Sequence, residues 1–211
     1  MRRLPVYLLL DTSGSMNGEP IEAVKNGIQV MLGSLRQNPQ AIETACLSII
    51  TFDSSAKQII PLTDLASFQM VDIKASGTTA LGEALQLVST CIDREVTKTT
   101  PEQKGDWKPL VFIMTDGIPT DNWQAGLSEF KKRKTAFTVA CAAGGSADTS
   151  ILKQISENVV SLDTDTQSIS KFFLWVTASI GTSSTKVETS GKEVTGLNEL
   201  PPPPKELNIV V

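Results

Sequence analysis

The chain of 211 residues contains no histidine. Its absence excludes a Ser-His-Asp or Cys-His catalytic arrangement and any zinc site built on imidazole ligands. Cysteine is also scarce, because Cys46, Cys91 and Cys141 lie far apart in sequence and form no C-x-x-C pair. An odd number of cysteines in apolar surroundings favours reduced, buried thiols, and we therefore expect a cytoplasmic location.

Long apolar runs and an excess of positive charge are missing as well. No run approaches the roughly 20 apolar residues of a membrane-spanning helix, and the apolar start from Leu4 to Leu10 is too short for a signal peptide. The net charge of −4 argues against nucleic-acid binding, which depends on Lys and Arg neutralising phosphates. We interpret one basic run, Lys131 to Lys134, as the solvated C-terminus of a helix.

Apolar runs of strand length alternate with segments of helical periodicity along most of the chain. The predicted strands are Val6–Leu10, Ala45–Phe52, Ala56–Pro61, Leu110–Met114, Phe137–Ala142 and Val159–Leu162. The predicted helices are Ile21–Arg36, Ala80–Ile92, Ala125–Lys134, Thr149–Glu157 and Ser168–Ile180. This alternation predicts an α/β fold with a doubly wound, mostly parallel sheet, helices on both faces and one antiparallel edge strand at Ala56–Pro61.

The composition changes near residue 181. Residues 1–181 carry the alternating pattern and form one predicted domain. Residues 182–211 are polar at first and then contain four consecutive prolines, Pro201 to Pro204. Such a composition predicts a flexible tail with a polyproline II segment.

Three polar segments follow or precede predicted elements in a way that brings oxygen ligands to one edge of the sheet. Two strong strands are followed by Asp11 and by Asp116, and ligand sites gather at the carboxyl ends of such strands. Asp11, Ser13 and Ser15 are two residues apart and converge on one side of an extended or turning loop. A third segment, Ser76 to Thr79, precedes a helix and brings a threonine hydroxyl to the same edge.

The predicted ligands are all hard oxygens, which suits Mg²⁺, Mn²⁺ or Ca²⁺ and disfavours metals that prefer thiolate or imidazole. Two carboxylates balance the charge of a divalent ion, while the hydroxyls add dipoles without charge. Such a shell leaves the ion electrophilic and open to water or to a carboxylate from outside. Mg²⁺ is the favoured ion, and an acidic residue of a partner protein is the favoured external ligand.

D-x-S-x-S after the first strand, a threonine before a helix and T-D-G after a later strand together resemble the von Willebrand factor A (VWA) domain with its metal-ion-dependent adhesion site. On this resemblance Asp11, Ser13 and Ser15 match the first motif and Asp116 matches the aspartate of T-D-G. The family pattern G-G-T-x-L-G-x-A-L matches from Thr79 onward, so the resemblance implies Thr79 as the fifth ligand rather than Thr78.

The run from Thr115 to Trp123 further resembles the TerY-type proteins of tellurium-resistance operons. That resemblance implies a cytoplasmic stress-response complex with kinase- or phosphatase-like partners, in which the chain is a metal-dependent interaction module and not an enzyme. A metal-dependent phosphatase or hydrolase is the alternative, since doubly wound folds with a strand-end aspartate also host phosphoryl transfer. The absence of histidine and of a lysine-bearing, aspartate-rich loop argues against it.

Overall fold

The protein is described by a computed structural model that covers residues 2–210. The strands are β1 (Leu4–Asp11), β2 (Ala45–Phe52), β3 (Ala56–Asp64), β4 (Leu110–Thr115), β5 (Phe137–Ala143), β6 (Asn158–Leu162) and β7 (Asn208–Ile209). The helices are α1 (Glu19–Arg36), α2 (Pro39–Thr44), α3 (Leu81–Glu95), α4 (Trp123–Phe130), α5 (Thr149–Ile155) and α6 (Thr166–Ser190).

The strands form one seven-stranded sheet in the order β3-β2-β1-β4-β5-β6-β7. The five inner strands are parallel, and β3 pairs antiparallel with β2 at one edge. These pairings confirm the predicted doubly wound, mostly parallel α/β sheet and its antiparallel edge strand. A second antiparallel edge strand, the short β7 beside β6, was not predicted.

The inner strands are buried on both faces, because a helical layer covers each side. In β1, Val6 and Leu8 pack into a core with α1 and α6, whereas Tyr7 and Leu9 pack into a core with α3, α4 and α5. Burial on both faces explains why the strand reads as a continuous apolar run rather than as an alternating one. None of the helices in residues 2–210 combines the length and the hydropathy that a bilayer-crossing helix requires.

The C-terminal segment differs from the predicted flexible tail. Helix α6 was predicted to end near Ile180, but it continues to Ser190 and ends at Gly191, whose φ of 63° is left-handed. The last turns of α6 bury few apolar side chains, so the sequence there shows little helical periodicity. Their serine and threonine hydroxyls donate hydrogen bonds to backbone carbonyls four residues earlier. Beyond the helix, Val194, Leu200 and Leu207 are buried in the core on the α6 face.

One smaller expectation also changes, at the end of α4. Helix α4 ends at Phe130 rather than at Lys134, so the basic run forms a turn after the helix. The segment between α3 and β4 has no helix or strand, and Asp106 holds it in place. The Asp106 carboxylate accepts hydrogen bonds from the Arg3 amide, from the Arg3 guanidinium at 2.6 Å and from the Thr97 amide at 2.8 Å.

Candidate metal centre

The candidate site lies where two central parallel strands end side by side. Leu10 of β1 is in register with Met114 of β4, so the next residues on each strand lead into adjacent loops. Asp11 and Asp116 occupy these strand ends and are 1% and 7% exposed. The chain order reverses between β1 and β4, and such a switch point is where ligands bind in doubly wound sheets.

A continuous chain of hydrogen bonds joins the two aspartates. The Ser13 amide donates to Asp11 Oδ1 at 2.8 Å, and the Ser13 and Ser15 hydroxyl oxygens are 3.0 Å apart. The Ser15 hydroxyl in turn donates to Asp116 Oδ1 at 2.8 Å. The structure therefore brings together four of the five side chains that the sequence singled out.

The loop before α3 is tied to the same site through the backbone. The Gly14 amide donates to the Gly77 carbonyl at 3.0 Å, and the Ser76 amide donates to the Thr12 carbonyl at 2.8 Å. Gly77 has a φ of +75°, and a Cβ atom there would lie 2.3 Å from Ser54 Oγ. Only glycine fits this position without strain, which explains the glycine before the two threonines.

The two threonine candidates have different surroundings. Thr79 is 5% exposed, and a Cβ atom on Gly117 would lie 3.1 Å from its hydroxyl oxygen. Its hydroxyl therefore lies beside the residue that follows Asp116. Thr78 is exposed, and its amide donates a hydrogen bond to Ser54 Oγ at 3.2 Å. The geometry favours Thr79.

Both aspartates carry an electrostatic cost in the absence of a cation. Burial raises the pKa of Asp11, although hydrogen bonds from Thr115 and Ser13 act in the opposite direction. Burial likewise raises the pKa of Asp116 against a hydrogen bond from Ser15. No lysine or arginine within residues 2–210 forms an ion pair or hydrogen bond with either carboxylate. A divalent ion fits this pair, since it supplies the missing positive charge.

The side chains available as ligands also indicate a metal site that is rich in hydroxyl groups. Within residues 2–210, no group of three or more acidic or cysteine side chains is placed to hold an ion. Any ion at this edge of the sheet would therefore need the hydroxyls of Ser13, Ser15 and Thr79 as well as the two carboxylates. Hard-oxygen ligands of this kind are those that Mg²⁺ and Ca²⁺ prefer.

Three residues that the sequence did not single out as ligands position the site. The Thr115 hydroxyl donates to Asp11 Oδ2 at 2.5 Å and fixes that carboxylate. The Thr120 amide donates to the Thr79 carbonyl, while the Thr79 amide donates to the Thr120 hydroxyl at 3.1 Å. The Asp121 carboxylate accepts hydrogen bonds from the amides of Gly82 and Glu83 and caps α3.

Known proteins resemble this chain in sequence and in fold. An uncharacterized protein of Synechocystis sp., sll0103, is 32% identical over 123 residues, which cover 55% of this chain and 26% of that protein. The chain thus spans about a quarter of the length of that relative. Activities of the longer protein therefore do not transfer to this chain as findings.

Two solved structures share the fold at lower identity. Proximal thread matrix protein 1 of the mussel byssus, in a form with a zinc-occupied MIDAS motif, has a TM-score of 0.61 and 21% identity, with 83% of this chain and 45% of that chain covered. The pilus adhesin SpaC of Lactobacillus rhamnosus GG has a TM-score of 0.69 and 15% identity, with 86% and 30% covered.

A family model of the von Willebrand factor type A domain matches residues 6–173. The match begins in β1, ends in α6 and contains Asp11, Ser13, Ser15, Thr79 and Asp116. The order of strands and the two aspartate-bearing loops agree with the resemblance that the sequence motifs carry. The chain belongs to the von Willebrand factor type A domain family.

Proposed function

We propose that this chain is a divalent-metal-dependent protein-interaction module. One observation carries the proposal: two buried carboxylates, Asp11 and Asp116, are linked by hydrogen bonds through Ser13 and Ser15 and have no cationic partner among residues 2–210. Unpaired buried charges are costly, so a site that retains two of them is suited to a cation.

Five side chains would hold the ion: Asp11, Ser13, Ser15, Thr79 and Asp116. Mg²⁺ is the ion that we favour, with Mn²⁺ or Ca²⁺ as alternatives, because every ligand is a hard oxygen. The zinc in the mussel protein supports a divalent ion at this motif in the family. When bound, the ion supplies an electrophilic position for one more oxygen ligand.

The partner would supply that ligand as an aspartate or glutamate side chain. Ser15 is exposed, so the site opens to solvent on its side rather than lying in a closed cavity. Ile118, two residues after Asp116, is 60% exposed and offers an apolar contact next to the acidic group. The hydrogen bonds between Thr79 and Thr120 hold this part of the rim in place, which lowers the entropic cost of binding.

We place the module in a cytoplasmic stress-response complex of the tellurium-resistance type, with kinase- or phosphatase-like partners. This context rests on the resemblance of residues 115–123 to TerY-type proteins. It is also supported by three buried, unpaired cysteines, Cys46, Cys91 and Cys141. The proposal contains no catalytic step, since no lysine or arginine of the described chain lies against the carboxylates to assist phosphoryl transfer.

Copurification with and without chelator tests the proposed function. Purified protein, immobilised in Mg²⁺ buffer, is expected to retain a specific protein from a native extract and to release it into chelator. Asp11→Ala and Thr79→Ala variants should lose this capture, because each removes a proposed ligand. Thr78→Ala is the matched control and should keep it. Mg²⁺-dependent capture that survives in both ligand variants would refute the assignment.

A further inference from the structure

A basic cleft lies at the opposite end of the sheet from the candidate metal centre. Its volume is about 820 Å³, and it is bounded by the end of α3, by the segment before β4 and by the turn before β5. Five cationic side chains line it: Lys98, Lys108, Lys132, Arg133 and Lys134. We call this feature the basic cleft.

Several of these cations already have acidic partners. Lys108 pairs with Glu193 at 2.9 Å, Lys132 pairs with Glu129 at 2.6 Å, and Arg133 pairs with Asp93 at 2.5 Å. Lys98 and Lys134 make no hydrogen bond or ion pair with any part of the chain from residue 2 to 210. The cleft therefore holds two uncompensated positive charges on a chain whose net charge is −4.

The two free lysines come from different segments. Lys98 belongs to the loop that Asp106 fixes through Arg3 and Thr97, and Lys134 belongs to the turn after α4. Because Asp106 ties its loop to the start of β1, one side of the cleft is held by the fold and does not depend on a ligand for its shape. From the sequence, the basic run Lys131 to Lys134 was interpreted as a solvated helix end. The fold brings Lys98 into the same cleft as the end of this run.

Apolar side chains also line the cleft. They are Ile92, Val96, Trp107 and Pro109. Arg2 stacks on the Trp107 ring with its guanidinium carbon 3.4 Å from the ring centroid. One face of the tryptophan is thus already covered by a cation, which leaves less of it for stacking by a nucleic-acid base.

We propose that the basic cleft binds an acidic peptide segment of a partner protein, with carboxylates on Lys98 and Lys134 and an apolar side chain against the apolar lining residues. Charge complementarity supports this occupant, since unpaired lysines flank an apolar surface. A nucleic acid fits less well, because it needs a continuous basic track and free aromatic faces. The inference is independent of the metal site and gives the module a second docking surface at its far end.

Fluorescence anisotropy tests the proposal with a labelled peptide of four glutamates around one phenylalanine. The full chain should bind this peptide in chelator as well as in Mg²⁺, and binding should weaken as salt is raised. A Lys98→Glu, Lys134→Glu double variant should bind it about tenfold more weakly, since two attractions become two repulsions. A Lys104→Glu, Lys131→Glu double variant is the matched control, because it changes charge equally in the same two segments outside the cleft.

The outcomes separate specific docking from general electrostatics. A large loss in the cleft variant and less than about a twofold loss in the control would support the proposal. Equal losses in both double variants, loss of binding in chelator, or no peptide binding by the wild type would overturn it. Tighter binding of a single-stranded oligonucleotide of equal charge would also overturn it, in favour of a nucleic-acid ligand.

Discussion

Replacing Asp116 by asparagine separates two effects of this carboxylate on stability. In the absence of metal its buried charge lowers stability, and in Mg²⁺ its binding to the ion raises it. The Asp116 carboxylate is 7% exposed, and burial raises its pKa without a lysine or arginine of the described chain to offset the charge. Because this pKa is higher in the folded state than in the unfolded state, the protonated carboxyl stabilises the fold at a pH below the unfolded-state pKa. This stabilisation is lost as pH rises through the folded-state pKa. At neutral pH the carboxylate therefore costs stability, at about 1.4 kcal/mol for each unit of the rise in pKa.

The asparagine amide keeps an oxygen that accepts the Ser15 hydroxyl bond but removes the charge. In chelator, we expect Asp116→Asn to be at least as stable as the wild type. In Mg²⁺ at about 100 times the dissociation constant, the wild type should gain about 2.7 kcal/mol. For a chain of this length that corresponds to a rise in Tm of about 5–10 °C. The Asp116→Asn variant should show almost no Mg²⁺-dependent rise in Tm.

Thermal unfolding monitored by circular dichroism, with chelator and with Mg²⁺, measures both effects. Asp163→Asn is the control, because Asp163 is an exposed aspartate that follows β6 at the same end of the sheet. Its Mg²⁺-dependent rise in Tm should equal that of the wild type. The reasoning fails if Asp116→Asn is clearly less stable than the wild type in chelator, or if it keeps the full Mg²⁺-dependent rise.

Three further predictions concern residues that support the site and the fold. Gly77→Ala should cost about 1–3 kcal/mol in denaturant unfolding and weaken Mg²⁺ binding, because a left-handed φ and a close contact with Ser54 both oppose a side chain. Asp106→Asn should cost about 1–3 kcal/mol at neutral pH. Burial opposes ionisation of Asp106, but hydrogen bonds from Arg3 and Thr97 outweigh it and lower its pKa. The difference from wild type should therefore begin to shrink as pH falls below about 4 and vanish only below the lowered pKa of the folded state. Leu207→Ala should cost about 2–4 kcal/mol, whereas Ile209→Ala, at a side chain that is 54% exposed, should cost far less; equal effects would contradict the packed C-terminal segment.

The sequence predicts most of the sheet, because each inner strand carries a local signal. Residues 45–52 form a strand with the predicted bounds, and the antiparallel turn back at Ala56 is also confirmed. Asp11 and Asp116 lie 105 positions apart, yet the strand-end rule places them together, since a doubly wound sheet collects strand ends at one edge. Their role as metal ligands stays a prediction.

Features that depend on long-range contacts were not predictable in the same way. The end of α6 is stabilised by Val187 and by contact of Lys186 with Glu199, neither of which produces a helical periodicity in a Ser/Thr-rich segment. Asp121 caps a helix that begins 40 positions earlier, and no local pattern links the two. The basic cleft arises in the same manner, because Lys98 and Lys134 line one cleft only after β4 and β5 have paired.

Calorimetric titration of Mg²⁺ into chelator-treated, dialysed protein tests the central claim most directly. The account predicts one ion per chain, with affinity at least about tenfold weaker in Thr79→Ala and unchanged in Thr78→Ala. The neighbouring threonine controls for local disturbance, since it differs in exposure and not in chemistry. Binding of equal strength in wild type and Thr79→Ala, or no Mg²⁺, Mn²⁺ or Ca²⁺ binding by the folded wild type, would contradict a metal centre at this edge of the sheet.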